Sequence, residues 1–158
     1  YPLYYARNYD AAIEWYRKGL ELDPKFYWAH LWIGQAYIQK GLLKEAIDEI
    51  SQAIQLSGGD IRAKATLGHA YGVSGRREDA LKVLEELEDI SRKRYVSPYY
   101  IALVYVGLGD KQQAITWLQK AHEERQPYLT LMKVEPVFDS LHSEPGFVAI
   151  ERSVGLEP

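Results

Sequence analysis

The chain has 158 residues, of which 26% are charged and 47% hydrophobic, with a formal net charge of −3. That size fits one folding domain; the weak negative charge gives no field to draw nucleic acid, and no apolar run nears the roughly 18–20 residues of a membrane helix. Cysteine is absent, which removes disulfides and thiol chemistry and suits a reducing, cytoplasmic setting.

Residues 1–26 read as the back half of a helical hairpin. Asn8 to Pro24 form one amphipathic segment, and the register counted backwards puts Tyr1 in the middle of a helix that precedes it. A first helix cut in this way is expected to leave an apolar edge at Leu3, Ala12 and Tyr16. Another copy of the chain, or upstream residues of a longer protein, would cover that edge.

Residues 27–60 form a complete unit with two amphipathic segments, Tyr27 to Lys40 and Leu43 to Leu56. Ile33, Gly34 and Tyr37 fall on one helical face of the first, and Ala46, Ile50 and Ala53 on one face of the second. Gly41 ends the first helix, where a left-handed residue suits glycine. Small residues at Gly34 and Ala46 let the two helices approach. The Gly58-Gly59-Asp60 stretch reads as a turn, with Asp60 capping the next helix.

Residues 61–94 and 95–128 repeat the pattern. Alanine recurs at Ala12, Ala46, Ala80 and Ala114, glycine at Gly41, Gly75 and Gly109, and tyrosine at Tyr37, Tyr71 and Tyr105, each with a step of 34 residues. Such self-similarity marks a repeat architecture in which stacked hairpins share one core. The basic clusters Arg76-Arg77 and Arg92-Lys93-Arg94 are expected at helix C-termini, as dipole partners or solvated loops.

After about residue 126 the register stops. Leu129 to Val134 extends a short helix, Val137, Phe138 and Leu141 form an apolar set, and Ser143 is expected to cap a last helix that runs from Pro145 to about Ser153. Phe147 and Ile150 would be its buried stripe. A solenoid needs a capping end, and residues 129–158 are the expected cap.

The period and its motifs resemble the tetratricopeptide repeat. Ile33, Leu67 and Ile101 stand at the packing aliphatic, Gly34, Gly68 and Ala102 at the small position after it, and Pro24 at the closing proline. The resemblance implies an all-α, right-handed superhelical solenoid of antiparallel helix pairs with a C-terminal helical cap, acting as a single domain. The stretches Val96 to Asp110, Trp117 to Arg125 and Val134 to Leu141 further resemble the C-terminal end of bacterial multidomain regulators. There a repeat array follows a winged-helix or Ser/Thr kinase domain, so a scaffolding or sensory segment of such a regulator is implied.

No catalytic constellation is present. His30, His69, His122 and His142 lack neighbouring ligands, and adjacent acidic pairs such as Glu85-Glu86 point about 100° apart on a helix. A non-catalytic protein with no cofactor and no metal is expected, with no nucleic-acid or membrane partner for this segment.

The register also identifies side chains left over from helix packing. In the resembling family this face of each first helix lines a concave groove that binds peptides or helices. In this chain it comprises Trp28, Leu31, Trp32, Gln35 and Ile38, then Arg62, His69 and Val73, then Tyr99, Tyr100, Leu103 and Val106, with Tyr4 and Tyr5 from the partial unit. Gly72 and Ala65 are expected to leave a dent in the middle. Six aromatics left half exposed would show about 450–600 Å² of apolar surface, at the top of what a monomer bears. The groove is therefore expected to hold an apolar or amphipathic segment of a protein partner, anchored on Trp28, Leu31, Trp32, Tyr99 and Tyr100. On this reading Trp32→Ala weakens binding without changing helical content. Alternatives are a homo-oligomer formed through this groove or the N-terminal edge, a small apolar ligand, the chain's own Tyr128 to Met132 folded into the groove, and rings such as Trp28 and Trp32 packing among themselves across neighbouring first helices to thicken the core. Recognition of a C-terminal carboxylate by paired asparagines is excluded, because Asn8 is the sole asparagine and Gln35 and Thr66 occupy the corresponding places.

Overall fold

A computed structural model describes residues 2–156. Among them the regular elements are helical: α1 (Pro2–Tyr5), α2 (Tyr9–Leu22), α3 (Tyr27–Gln39), α4 (Leu43–Ser57), α5 (Ile61–Val73), α6 (Arg77–Ser91), α7 (Pro98–Leu108), α8 (Lys111–Glu123), two 3-10 turns (Pro127–Leu131 and Pro136–Leu141) and α9 (Pro145–Ser153). Consecutive helices pack in pairs, giving an all-α solenoid. Tyr1, at which the cut first helix was expected to begin, lies outside the described residues.

The three sequence combs are one structural device. Gly41, Gly75 and Gly109 have φ of 73°, 78° and 74°, a region where a Cβ would be strained. The residue after each glycine then donates its backbone N–H to the carbonyl of the comb tyrosine: Leu42 to Tyr37, Arg76 to Tyr71 and Asp110 to Tyr105, at 2.8–3.0 Å. This reversal closes each first helix and starts the second. The alanine comb is fully buried where the two helices cross. Asn8, Asp60, Ser97 and Asp110 cap their helices through the side chain, as the turn chemistry demands.

Stacking is uneven. α5 lies against α7 along its length, whereas α3 and α5 touch at few places. Gly72 is the reason: a Cβ built there would stand 2.4 Å from the Gly107 carbonyl carbon. The two backbones meet, and the dent expected beside Gly72 does not exist. The opening lies instead between α3 and α5.

Other expectations change for local reasons. Ala12 and Tyr16 are buried, Tyr16 stacking on Trp32 at 6.3 Å, so the N-terminal edge reduces to Leu3 and the 63%-exposed Trp15. Arg76 and Arg77 start α6 instead of ending a helix, with Arg76 bonded to Asp79 and lying over the Tyr71 ring. Glu144, not Ser143, precedes α9, because Pro145 takes the first helical position and fixes the cap one residue before it. α9 packs on α8 and closes the C-terminal end.

Gly72→Ala is expected to cost about 3 kcal/mol or more, since backbone faces backbone and neither can yield. Gly34→Ala should cost less but still about 1–3 kcal/mol: its Cβ would stand 2.5 Å from Cγ1 of the fully buried Ile50, so a stiff side chain, not a neighbouring backbone, must shift. Urea unfolding of the two variants measures the difference.

Candidate functional site

The residues between α8 and α9 do more than cap the end. They run back across the concave side and reach α1. Arg7, just after α1, donates two hydrogen bonds to Asp139 at 2.5 and 2.8 Å. Tyr4 and Tyr5 hydroxyls donate to the Glu135 carboxylate. Phe138 meets the Tyr99 ring edge at 5.6 Å. Farther out, the Arg62 guanidinium lies between two rings, 5.5 Å from Trp28 and 5.2 Å from Tyr128. The curve of first helices is thereby closed by the chain's own tail.

A cavity of about 30 Å³ remains inside, with room for about one or two water molecules. α3 supplies Trp32, Gln35, Ile38 and Gln39 to its wall. α5 supplies Arg62, Thr66 and His69, α7 supplies Tyr99 and Leu103, and α1 supplies Tyr4. Glu135 and Val137 of the tail complete it. Eight of the residues assigned to the groove from sequence thus meet around one space: Tyr4, Trp32, Gln35, Ile38, Arg62, His69, Tyr99 and Leu103. Tyr5 flanks it, against Trp32 at 6.1 Å. Trp28 and Tyr100 stand at the rim, each touching a neighbour of Tyr128 or Tyr128 itself. Leu31 is buried in the N-terminal core, Val106 packs on the C-terminal core, and Val73 points to solvent, 45% exposed.

The aromatics are not left half wet. Tyr4, Trp32 and Tyr99 are 2%, 4% and 4% exposed. Trp32 alone contacts Tyr4, Tyr5 and Tyr16, which makes it part of the core. Trp32→Ala would therefore unpack the N-terminal repeats, contrary to the expectation of unchanged helical content. Trp28, at the rim, is only half-buried.

Burial sets the electrostatics. It pushes the Tyr4 and Tyr99 hydroxyls well above the usual tyrosine value, with the Glu135 charge adding to it. It raises the Glu135 carboxyl too, against the opposing hydrogen bonds from Tyr5 and Tyr4 and the charge of Arg62. His69 Nδ1 lies 3.0 Å from the Leu103 carbonyl and donates to it. Desolvation outweighs that bond and lowers the imidazole to about 4, so the ring is neutral at pH 7. One polar atom is left over: the Gln35 Oε1 oxygen is buried without a hydrogen-bond partner.

Among the described residues no group of three His, Cys, Asp or Glu side chains could hold a metal ion, and no helix is long and apolar enough to cross a membrane. His30 is tied to Glu49 at 2.7 Å, a contact between α3 and α4. The lining and fastening residues that the repeat register did not assign to the groove are Arg7, Glu135, Val137 and Asp139. Glu135, Val137 and Asp139 lie outside the 34-residue pattern, whereas Arg7 stands one period before Gly41 with φ of 60°, a position the register marks as a turn and not as part of the groove.

Two sequence models of one family match the chain. The one described as "TPR repeat" covers residues 3–41, and the one described as "Tetratricopeptide repeat" covers 29–60 and 99–126, together more than half of the chain. Superkiller protein 3 of Schizosaccharomyces pombe is 28% identical over 101 residues, 64% of this chain and 7% of that protein. Small glutamine-rich tetratricopeptide repeat-containing protein 2 of Mycosarcoma maydis is 35% identical over 83 residues, 51% of this chain and 23% of that protein. Superkiller complex protein 3 of Homo sapiens is 24% identical over 106 residues, 67% of this chain and 7% of that protein. The chain therefore spans a quarter or less of the length of these relatives.

The buried neutral His69 sets an acid sensitivity. Its native value of about 4 lies below the unfolded value of about 6.5, so between these two pH values the unfolded chain binds more protons. Stability is unaffected by this group above pH 6.5 and falls as the pH drops towards 4, by up to about 1.4 kcal/mol per unit. Urea midpoints at pH 7 and 4.5 should diverge for the wild type, and His69→Gln should flatten that difference.

Proposed function

We propose that this chain, which belongs to the tetratricopeptide-repeat family, is a non-catalytic protein-interaction scaffold whose concave side takes an apolar or amphipathic segment of a protein partner. The repeats make a partner-binding scaffold the general reading. One observation supports placing the partner on this face. The wall of Tyr4, Arg62 and Tyr99 already holds a polypeptide segment, the two 3-10 turns of the chain's own tail and the residues between them, through aromatic packing, tyrosine hydroxyls and a guanidinium. Such mixed aromatic and polar walls are the usual anchors of peptide recognition. Trp28, Gln39, Tyr5 and Tyr100 form the accessible rim at which the partner engages first.

A place within a larger bacterial signalling or transcription regulator belongs to the same proposal and rests on the resemblance of Val96 to Asp110, Trp117 to Arg125 and Val134 to Leu141 to the C-terminal end of such proteins. A second reading, self-association, is favoured by the N-terminal shelf. There Pro2, Leu3 and the 63%-exposed Trp15 form an apolar surface on which, among the described residues, no further helix is stacked.

A photo-crosslinking residue placed separately at Gln39, Trp15 and Lys44 tests both readings. Capture of a partner protein from Gln39, and not from the 87%-exposed Lys44 on α4, is the expected result. Capture of a second copy from Trp15 would favour self-association, and capture from Lys44 alone would contradict the groove.

A further inference from the structure

The tail fits the groove imperfectly, in a way that identifies what would fit better. Three donors converge near the mouth: the Tyr4 and Tyr5 hydroxyls, which bond to Glu135, and the Arg62 guanidinium, whose charge acts on it. They make a receptor for a carboxylate. Glu135 supplies that carboxylate, but burial raises its carboxyl, so holding it there charged works against desolvation. Beside it, within the same cavity, the Gln35 Oε1 oxygen has no donor. A buried acceptor left unpaired is costly, and the docked tail does nothing to satisfy it.

The segment that carries Glu135 is also weakly structured on its own account. It joins two 3-10 turns, Pro127–Leu131 and Pro136–Leu141, whose hydrogen bonds are poorer than those of an α-helix. Its two ends are unequal. Phe138, Leu141 and Phe147 are fully buried in the C-terminal core and stay there. Ahead of Phe138, Lys133 and the 46%-exposed Val134 face solvent and Val137 is half-buried, with Glu135 seated on the two tyrosine hydroxyls. The portion from Lys133 to Val137 is therefore a lip that can lift while the cap remains.

We propose that this lip is a tethered stand-in for the partner, and that the partner is an acidic peptide. An internal Glu or Asp side chain, flanked by proline or apolar residues as in Val134-Glu135-Pro136-Val137, replaces Glu135 between Tyr4, Tyr5 and Arg62. A backbone N–H of the same peptide donates to Gln35 Oε1. The recognised group is a side-chain carboxylate within the peptide, so the partner needs no free C-terminus. The groove is closed at rest and opens only to a segment that satisfies both the donors and the orphan acceptor. This inference rests on the scaffold reading above and adds the chemistry of the partner and the means by which the site is kept shut.

The test uses the full chain and a fluorescein-labelled synthetic peptide, Lys-Val-Glu-Pro-Val-Phe-Asp, followed by anisotropy. Glu135→Ala empties the receptor without touching the cap and is expected to bind the peptide about tenfold more tightly than the wild type, the scale of one hydrogen-bonded charge. Adding Tyr4→Phe and Tyr5→Phe should abolish the gain, as should a peptide with Gln in place of its Glu. Glu135→Ala binding no better than the wild type would overturn the proposal, and so would a triple variant that keeps the gain. Circular dichroism checks folding. If Glu135→Ala does not fold, Glu135→Gln, which keeps the volume and removes the charge, should also raise the peptide's affinity, and an unchanged affinity would overturn the proposal. Partner capture at Gln39 with no peptide effect would sink the lip and leave the scaffold reading standing; no capture at Gln39 would sink the scaffold reading itself.

Discussion

Large rings line the inside of the curve made by the first helices, and such surface is unfavourable in water. Trp32, Tyr4 and Tyr99 together present more apolar area than a small monomer leaves wet. Covering them is the constraint to which the C-terminal residues answer. The residues after α8 cross the concave face, seat Phe138 against Tyr99, and fasten at the far side through Asp139 and Arg7. A chain whose repeats alone would form an open arc becomes closed on itself.

The closure leaves a small cavity because the stacking is not uniform. Gly72 and Gly107 draw α5 and α7 into backbone contact, and α3 has no equivalent partner in α5. The gap opens on the α3 side, where Gln35, Gln39 and His69 line it together with the tail's Glu135. Two of those polar groups bear the consequence of burial: His69 is held neutral, and the Glu135 carboxyl is raised.

The repeats were legible from the chain because each comb position carries one physical demand: left-handed backbone at Gly41, Gly75 and Gly109, and zero-clearance helix crossing at Ala46, Ala80 and Ala114. Helix bounds such as 27–39 and 43–57 followed from those demands to within a residue or so. The concave face could be assigned by register, yet its exposure could not. Trp32 is kept dry by Tyr4, Tyr5 and Tyr16 of the partial unit, and Tyr99 by Tyr128 and Phe138, which obey no period. The dent assigned to Gly72 failed for a related reason: a missing side chain marks either empty space or a neighbour's backbone, and only the packing of α7 distinguishes them. Ala12 and Tyr16 were taken as edge residues on the strength of a missing helix, but α1 and Trp32 suffice to cover them.

The proposed partner site lies on the face that the repeats do not need for themselves, and that face already has an occupant, the chain's own tail. The central claim is that the tail bridges the concave side to α1. The chain has no cysteine, so Arg7→Cys combined with Asp139→Cys and treated with a short bismaleimide reads the bridge directly. The account predicts rapid linkage within one chain, seen as a monomer carrying a single reagent joined at both ends. Monomers alkylated separately at each cysteine, or linkage only between chains, would contradict it.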